Sequence, residues 1–215
     1  MAKFYSVGVG AGDGSYITLG ALRALEQADI IAVPVKKYGE KSTALEIIRK
    51  EFDTDKKEIS ELEFRMSGDT KIREESRRNS AEKIISALKD GKDVAMITLG
   101  DVSVYSTCTY VHNAVKNAGF ELEIIPGITS FCAAADKAQI SLCEGNESVA
   151  IIPSLKSNLL EKYIADFDTV VIMKSGNDTD VIYDILKKYG LENKIIEKIQ
   201  KGKSYGYFTT VIVRK

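Results

Sequence analysis

Cysteine and histidine are scarce in this chain of 215 residues, which has three of the former and one of the latter. Cys108, Cys132 and Cys143 are odd in number and lie among apolar neighbours, so we expect reduced thiols in or near the core of a cytoplasmic protein. The single histidine, His112, offers too few ligands for a metal centre. We predict that His112 lies on the face of a structural helix and that no metal is bound.

An excess of charge of one sign and long apolar runs are also lacking. The 30 basic and 31 acidic residues give a formal net charge of −1, so no global electrostatic argument favours nucleic acid. The longest apolar segments have the length of strands and are too short to span a bilayer. The amino-terminal segment leads directly into a strand, without the layout of a signal peptide. We expect a cytoplasmic protein without nucleic-acid or membrane partners.

Strand-sized apolar runs alternate with helical patterns, which predicts an α/β protein with mainly parallel sheets. We expect two α/β domains, 1–118 and 119–215, with a cleft between them, because a second sharp loop and a helix of small residues follow the strand after Gly119. The last connections are too short for helices, which predicts an antiparallel strand near the end. The predicted strands are Phe4–Val9, Ile30–Val35, Lys57–Phe64, Val94–Leu99, Glu121–Ile125, Val149–Ile152, Thr169–Met173, Lys194–Ile199 and Tyr207–Val213.

The segment from Asp93 to Thr109 contains the clearest candidate for a binding loop. An apolar run that ends in Leu99 predicts a buried strand of a parallel sheet, and Gly100-Asp101 follows it directly. Open α/β sheets bind ligands at this position, where glycine lets a ligand approach the backbone and aspartate accepts hydrogen bonds. Taken alone, the pair is explained equally well as a turn before a helix.

Common nucleotide-binding and catalytic motifs do not fit the chain. The turn Gly8–Gly14 has Asp13 at the sixth position, where the dinucleotide fingerprint requires glycine. The second predicted strand ends without an acidic residue for a ribose, and there is no phosphate-binding loop of the GK[ST] type. A Ser-His-Asp triad has no support, because His112 lies on a predicted structural helix.

Three loops, each directly after a predicted strand, resemble the signatures of the tetrapyrrole methylase family. Residues 8–18, GVGAGDGSYIT, are similar to GxGPGDPxLLT, residues 100–107, GDVSVYST, to GDPxxYST, and residues 126–130, PGITS, to PGIxS. Their order and spacing extend the resemblance over nearly the whole chain. Ala11, Gly14 and Val102 replace prolines of the family pattern, which loosens the loops.

Other segments resemble the branch of the family that methylates C20 of precorrin-2 or cobalt-factor II. These segments are ADIIAVP, LEFRMS, EIIPGITSFCAAA and LCEGNESVAIIP, and Arg65 in the second stands where proline is usual. The resemblance implies methyl transfer from S-adenosylmethionine in cobalamin biosynthesis, by a homodimer with domain 1–118 on the macrocycle side of the cleft and 119–215 on the cofactor side. The alternatives are methylases of other precorrin positions, diphthine synthase, and a nucleotide-binding protein without catalytic activity.

The resemblance also implies the residues of the site. The cofactor-binding positions are Ala11, Leu99, Gly100, Asp101, Val104, Thr129, Ser130 and Met173, and the substrate-binding positions are Gly10, Gly12, Asp13, Arg65 and Tyr105. No catalytic side chain is assigned, because methyl transfer from a sulfonium is an in-line displacement that depends mainly on positioning. Periodicity alone makes Met173 a core residue, and helix capping explains Ser106 and Thr107 equally well.

A flat macrocycle edged with carboxylates needs cations around its binding site. Arg65 is the favoured candidate, because it follows a predicted strand and departs from the pattern of its branch. We expect most other basic side chains nearby to lie on solvated helix faces; they are Lys36, Lys37, Lys71, Arg73, Arg77 and Arg78. The residues do not distinguish a metal-free from a cobalt-containing macrocycle.

Overall fold

Five parallel strands form the central sheet of the first of two units, Met1–Thr129, in a computed structural model that describes residues 1–154, 157–192, 194 and 202–215. The strands are β1 (Lys3–Gly8), β2 (Ile30–Val35), β3 (Glu58–Glu63), β4 (Val94–Thr98) and β5 (Glu121–Ile125). Their order in the sheet is β3-β2-β4-β1-β5, and every neighbouring pair is parallel. The carboxyl ends of all five strands therefore lie at one edge, and the predicted α/β class is confirmed.

Four helices cover the two faces of this sheet: α1 (Leu19–Gln27), α2 (Thr43–Ile48), α3 (Thr70–Lys89) and α4 (Thr109–Asn117). Successive strand residues point to opposite faces, so Tyr5 and Ile97 pack with α1 and α2, while Phe4 and Met96 pack with α3 and α4. Burial of apolar side chains on both faces explains why the inner strands β2 and β4 are almost continuously hydrophobic, whereas the edge strands β3 and β5 contain glutamates.

Local signals in the sequence set the ends of these helices. Thr18 Oγ1 accepts a hydrogen bond from Ala21 N at 3.1 Å and caps α1, and Asp69 Oδ1 accepts one from Lys71 N at 2.8 Å at the start of α3. Gly119 follows α4 with a φ of +85°, a conformation that L side chains rarely adopt.

The apolar periodicity of α1, α3 and α4 predicts that Leu19, Ile72 and Tyr110 face the core. In the structure these three side chains are 72%, 37% and 47% exposed, so the prediction is wrong for them. All three lie in the first turn of a helix, and later residues such as Leu25 and Val111 fill the positions against the sheet.

The second unit, Ser130–Lys215, contains a three-stranded sheet in its described part. Its strands are β6 (Val149–Pro153), β7 (Thr169–Met173) and β8 (Thr210–Arg214), and its helices are α5 (Ser130–Lys137), α6 (Ser157–Asp166) and α7 (Thr179–Lys188). Strand β7 pairs in parallel with β6 and antiparallel with β8, as expected for the last strand. The strand predicted at Lys194–Ile199 lies outside the described residues, apart from Lys194.

The two units divide between Thr129 and Ser130, whereas the sequence places the boundary after residue 118. The difference comes from β5, which pairs with β1 from Lys3↔Glu121 to Val7↔Ile125 and so completes the first sheet. A strand next to a predicted domain boundary can join the sheet of either domain. Here the backbone hydrogen bonds with β1 assign β5 to the sheet of the first unit.

The three cysteines are free thiols with different environments. Cys108 is buried and Cys132 is partly buried, but Cys143 is exposed, so the expectation of a core or near-core position is wrong for Cys143. Within the described part of the chain, no helix combines the length and the apolar character that crossing a membrane requires. No three His, Cys, Asp or Glu side chains of the described residues are grouped so that they could hold a metal ion.

Candidate functional site

The three signature loops of the first unit meet at the carboxyl edge of its sheet, after the neighbouring strands β4, β1 and β5. Gly100 N donates a hydrogen bond to Gly10 O at 2.7 Å, and Gly10 N donates one to Gly100 O at 3.2 Å. This isolated antiparallel bridge joins the loop after β1 to the loop after β4. Gly10, a predicted substrate contact, and Gly100, a predicted cofactor contact, are therefore direct neighbours in the fold.

Three backbones approach one another closely at this edge, and they leave no room for a side chain at Gly8 or Gly127. A Cβ atom on Gly127 would lie 2.2 Å from Gly100 O and 2.9 Å from Gly8 Cα, and one on Gly8 would lie 2.7 Å from Gly100 O. We call Gly8, Gly100 and Gly127 the glycine cradle. Gly8 and Gly127 are missing from the predicted site residues, although both stand in the signature motifs, where Gly8 ends β1 and Gly127 lies two residues after β5.

Asp101 fastens the loop after β4 to the loop after β5. Its Oδ2 accepts a hydrogen bond from Gly127 N at 2.8 Å, and its Oδ1 accepts hydrogen bonds from Ser103 N, at 2.8 Å, and from Ser103 Oγ. Burial by itself would raise the pKa of the Asp101 carboxyl, but the bonds from Ser103 and Gly127 outweigh it and hold the pKa below its ordinary value. A carboxylate has about four lone-pair sites, so Oδ2 keeps capacity for a second donor.

Thr129 carries a hydroxyl that is suited to a bound polar ligand. Its Oγ1 is shielded from solvent and has no hydrogen-bond partner among the described residues. A buried polar atom without a partner is rare and costs about 1–3 kcal/mol. Such an atom at the end of a signature loop fits a site whose ligand brings the missing hydrogen bond.

The first signature loop is held in shape by its own backbone and by Asp13. Gly10 and Gly12 have φ angles of +78° and +96°, which favour glycine. Asp13 Oδ1 accepts hydrogen bonds from Ser15 N at 2.9 Å and Ser15 Oγ at 2.8 Å, and it caps the short 3-10 helix Gly14–Tyr16. Ala11 is partly buried while Gly12 and Asp13 are exposed, so this loop offers mainly backbone atoms to a ligand.

The loop after β4 also contains Leu99, Val104 and Tyr105. Leu99 is partly buried against the core shared with α1 and α2, and Val104 is partly buried. Tyr105 has a φ of +50° and is 45% exposed. A tyrosine in the left-handed region is strained, and such residues are concentrated at functional sites.

Arg65 lies at the same edge of the sheet but away from the glycine cradle. It follows β3, the edge strand, which is separated from β4 by β2 and so by about 10 Å between strand axes. Its Nε is 2.6 Å from Glu63 Oε2, and its side chain is 58% exposed. The guanidinium is therefore accessible to a ligand, although its charge is partly balanced by Glu63.

Ser130 and Met173 belong to the second unit. Ser130 is the first residue of α5, and Met173 ends β7, where its carbonyl accepts a hydrogen bond from Ser154 N at 2.8 Å. Beyond Met173, a Cβ atom on Gly176 would lie 2.1 Å from Gly206 O. The carboxyl end of β7 thus has its own close approach of two backbones, which the motifs did not indicate.

Comparisons with protein families and curated proteins show which known proteins this chain is similar to. The family model Tetrapyrrole (Corrin/Porphyrin) Methylases matches residues 3–197. A curated relative from Methanocaldococcus jannaschii, "Probable cobalt-precorrin-2 C(20)-methyltransferase", is 46% identical over 175 residues, which cover 81% of this chain and 73% of that protein. A second from Salmonella typhimurium, "Cobalt-precorrin-2 C(20)-methyltransferase", is 27% identical over 230 aligned positions, with 99% and 96% covered.

A solved structure supports the fold independently. The crystal structure of the methyltransferase CobJ superimposes with a TM-score of 0.70 at 17% identity, and the match covers 100% of this chain and 94% of that one. At this low identity the likeness concerns the fold alone. It is the fold that the signature loops led us to expect.

Proposed function

The chain belongs to the tetrapyrrole (corrin/porphyrin) methylases, and we propose that it transfers a methyl group from S-adenosylmethionine to C20 of precorrin-2 or its cobalt-containing counterpart in cobalamin biosynthesis. The observation that carries this proposal is the 46% identity to a relative named for C20 methylation of cobalt-precorrin-2. Because both of the curated relatives described above carry names with the cobalt form, we expect the cobalt-containing substrate to be preferred.

The geometry of the first unit supports cofactor binding at the glycine cradle. Gly127 of the cradle is partly exposed, Thr129 Oγ1 lacks a partner among the described residues, and Asp101 Oδ2 can accept a further hydrogen bond. When bound, S-adenosylmethionine supplies a methyl group on a positively charged sulfur. The proposed cofactor contacts in this unit are Ala11, Leu99, Gly100, Asp101, Val104 and Thr129. Ser130 and Met173 are proposed on the family signatures alone.

The substrate contacts are proposed around the same edge of the sheet. Backbone groups of Gly10 and Gly12 lie beside the cradle, and Asp13 and Tyr105 are exposed on the two loops that the Gly10–Gly100 bridge joins. The accessible guanidinium of Arg65 suits a peripheral carboxylate of the macrocycle. The chain's part in the reaction is then to hold the acceptor carbon in line with the methyl group.

The test is a mass assay of methyl transfer with precorrin-2 and cobalt-factor II offered in parallel. A gain of one methyl group, located at C20, on either substrate is the expected result. Binding of S-adenosylmethionine without transfer to either would contradict the proposed acceptor and favour another methylase of the family. Absence of any binding would contradict the methyltransferase proposal for this chain.

We also propose that the protein works as a homodimer in the cytoplasm, as the resemblance to the family implies. Sedimentation equilibrium measures the oligomeric state directly, because the dimer has twice the 23.6 kDa mass of the chain. A monomer at micromolar concentration would contradict this part of the proposal.

A further inference from the structure

Hydroxyl side chains replace apolar ones where the two central strands approach the glycine cradle. On one face, β1 presents Phe4, Ser6 and then Gly8, and β4 presents Met96 and Thr98, two residues before Gly100. Ser6 is fully buried and Thr98 is 6% exposed. Buried hydroxyls need hydrogen-bond partners, so their positions indicate where another element is attached.

Ser106 is the partner of Thr98 and the centre of several hydrogen bonds. Its Oγ donates to Thr98 Oγ1 at 3.0 Å and accepts from Cys108 N at 3.1 Å, and its carbonyl accepts from Thr109 Oγ1 at 2.9 Å. Ser106 is only 8% exposed. We call Thr98 and Ser106 the hydroxyl clasp, because their bond joins the two ends of the loop after β4.

The clasp closes the loop that carries four of the eight proposed cofactor contacts. Residues 99–105 lie between the two clasp residues, and Gly100, Asp101 and Val104 are among them. Tyr105, directly before Ser106, has a φ of +50°. A strained conformation of this kind persists only where its surroundings enforce it, and the buried bond at the next residue provides that constraint.

Further contacts attach the start of α4 to the same two strands. Cys108 is fully buried, with Sγ 3.7 Å from Met96 O, and burial raises the pKa of its thiol to about 11. His112 Nε2 lies 2.9 Å from Ser6 Oγ. The buried thiol of Cys108 and the Ser6–His112 bond therefore attach α4 to β4 and β1, beside the clasp.

We propose that Thr98 and Ser106 are positioning residues that hold the loop 99–105 in its cofactor-binding shape before the cofactor arrives. The inference rests on the proposed function for the identity of the ligand, but the order of the loop can be measured without it. Removal of either hydroxyl breaks the Thr98–Ser106 hydrogen bond, and the loop then loses the bond that joins its ends.

Two variants remove the clasp from opposite sides, and two others serve as controls. Ser106→Ala removes one hydroxyl, and Thr98→Val removes the other with little change in shape. Thr98→Ser restores a hydroxyl at position 98. Ser80→Ala is the matched control, because Ser80 is 4% exposed and its Oγ donates to Glu63 O at 3.2 Å, away from the loop.

Amide hydrogen exchange of the ligand-free protein, read by mass spectrometry, measures the order of residues 99–105. We expect about tenfold faster exchange there in Ser106→Ala and Thr98→Val, and rates within about twofold of the wild type in Thr98→Ser and Ser80→Ala. Calorimetry is expected to give an S-adenosylmethionine Kd about tenfold higher in the first two variants only.

The outcomes separate this inference from the proposed function. Unchanged exchange of the loop in either Ser106→Ala or Thr98→Val would overturn the inference, as would an equal increase in Ser80→Ala. Faster exchange with an unchanged Kd would overturn the link between loop order and cofactor binding. A wild-type protein that binds no S-adenosylmethionine would contradict the proposed function, while the exchange rates would still decide whether the clasp orders the loop.

Discussion

Replacement of Asp101 by alanine is the most informative single perturbation of the candidate site. The change removes the acceptor of the Gly127 N–H, at 2.8 Å, and the acceptor of both hydrogen bonds from Ser103. The loops after β4 and β5 would then meet at the glycine cradle without the side chain that fastens them. We therefore expect Asp101→Ala to weaken both the fold at this edge and the affinity for the cofactor.

The magnitude follows from the number and type of bonds lost. A hydrogen bond to a charged group contributes about 1.5–3 kcal/mol, and the local bonds from Ser103 in the exposed turn add less. A loss of about 2–3 kcal/mol lowers the melting temperature of a chain of this size by roughly 5–10 °C. If the same loss is transmitted to the cofactor, its Kd rises by about 30–140-fold, at about 1.4 kcal/mol for each factor of ten.

Thermal unfolding and calorimetric titration of S-adenosylmethionine measure the two effects, and two further variants isolate their origin. Ser103→Ala removes one donor to Oδ1 and leaves the Gly127 bond, so its Kd should stay within about threefold of the wild type. Asp101→Asn has a single acceptor oxygen and should fall between the wild type and Asp101→Ala. Wild-type melting together with wild-type Kd in Asp101→Ala would refute the role assigned to this carboxylate.

Three other predictions concern the cradle, the histidine and the candidate substrate contact. Gly127→Ala places a Cβ 2.2 Å from a backbone oxygen and should destabilise the protein by about 3 kcal/mol in denaturant titrations. Gly68→Ala is the control, because no described atom lies within 4 Å of its Cβ, and it should change stability by less than about 0.5 kcal/mol. Equal effects of the two variants would contradict the close packing at the glycine cradle. Burial, and then the charge of Lys116, lower the pKa of His112 below 6.5 in the folded protein. As the pH falls, this histidine therefore binds a proton in the unfolded chain before it does so in the folded protein. Its contribution makes the free energy of unfolding decrease from pH 8 to pH 5. His112→Gln should show a smaller decrease than the wild type over this interval, and an identical decrease would exclude His112 as its source. Arg65→Ala should raise the Kd for the macrocycle about tenfold and leave the Kd for S-adenosylmethionine unchanged in fluorescence titrations. Equal binding of the macrocycle by both forms would show that Arg65 is a solvated surface residue without a role in substrate binding.

The sequence was sufficient for the inner strands β2 and β4 of the first unit, because buried parallel strands are continuous apolar runs with abrupt polar ends, and the alternation of apolar and polar residues was sufficient for the edge strand β3. The sequence was insufficient to predict which strands pair with each other in the sheet. Nothing local in Glu121–Ile125 indicates that this strand lies beside Lys3–Gly8, since backbone hydrogen bonds between distant segments decide it. The predicted domain boundary therefore differs from the division between the two units by the length of one strand and its loop.

The candidate site was predictable in type but not in its internal contacts. The motif placed Asp101 at the end of a strand, but only the fold brings Gly127 N to its Oδ2. Ser106 was open to interpretation as a helix cap, and in the structure it accepts the Cys108 N–H and also bonds Thr98. Contacts of this kind depend on which face of a strand a hydroxyl occupies, and that depends on the register of the sheet.

The strand order of the first sheet has a consequence for the synthesis of the chain. Phe4 on β1 pairs with Val94 and Leu122, whereas Ile30 on β2 pairs with Glu58, a much shorter separation along the chain. At about 5–20 residues per second, a nascent β1 waits roughly 5–20 s for β4 to be made, while β2 and β3 can pair earlier. During that interval the apolar first strand is available to chaperones and to the strands of other nascent chains.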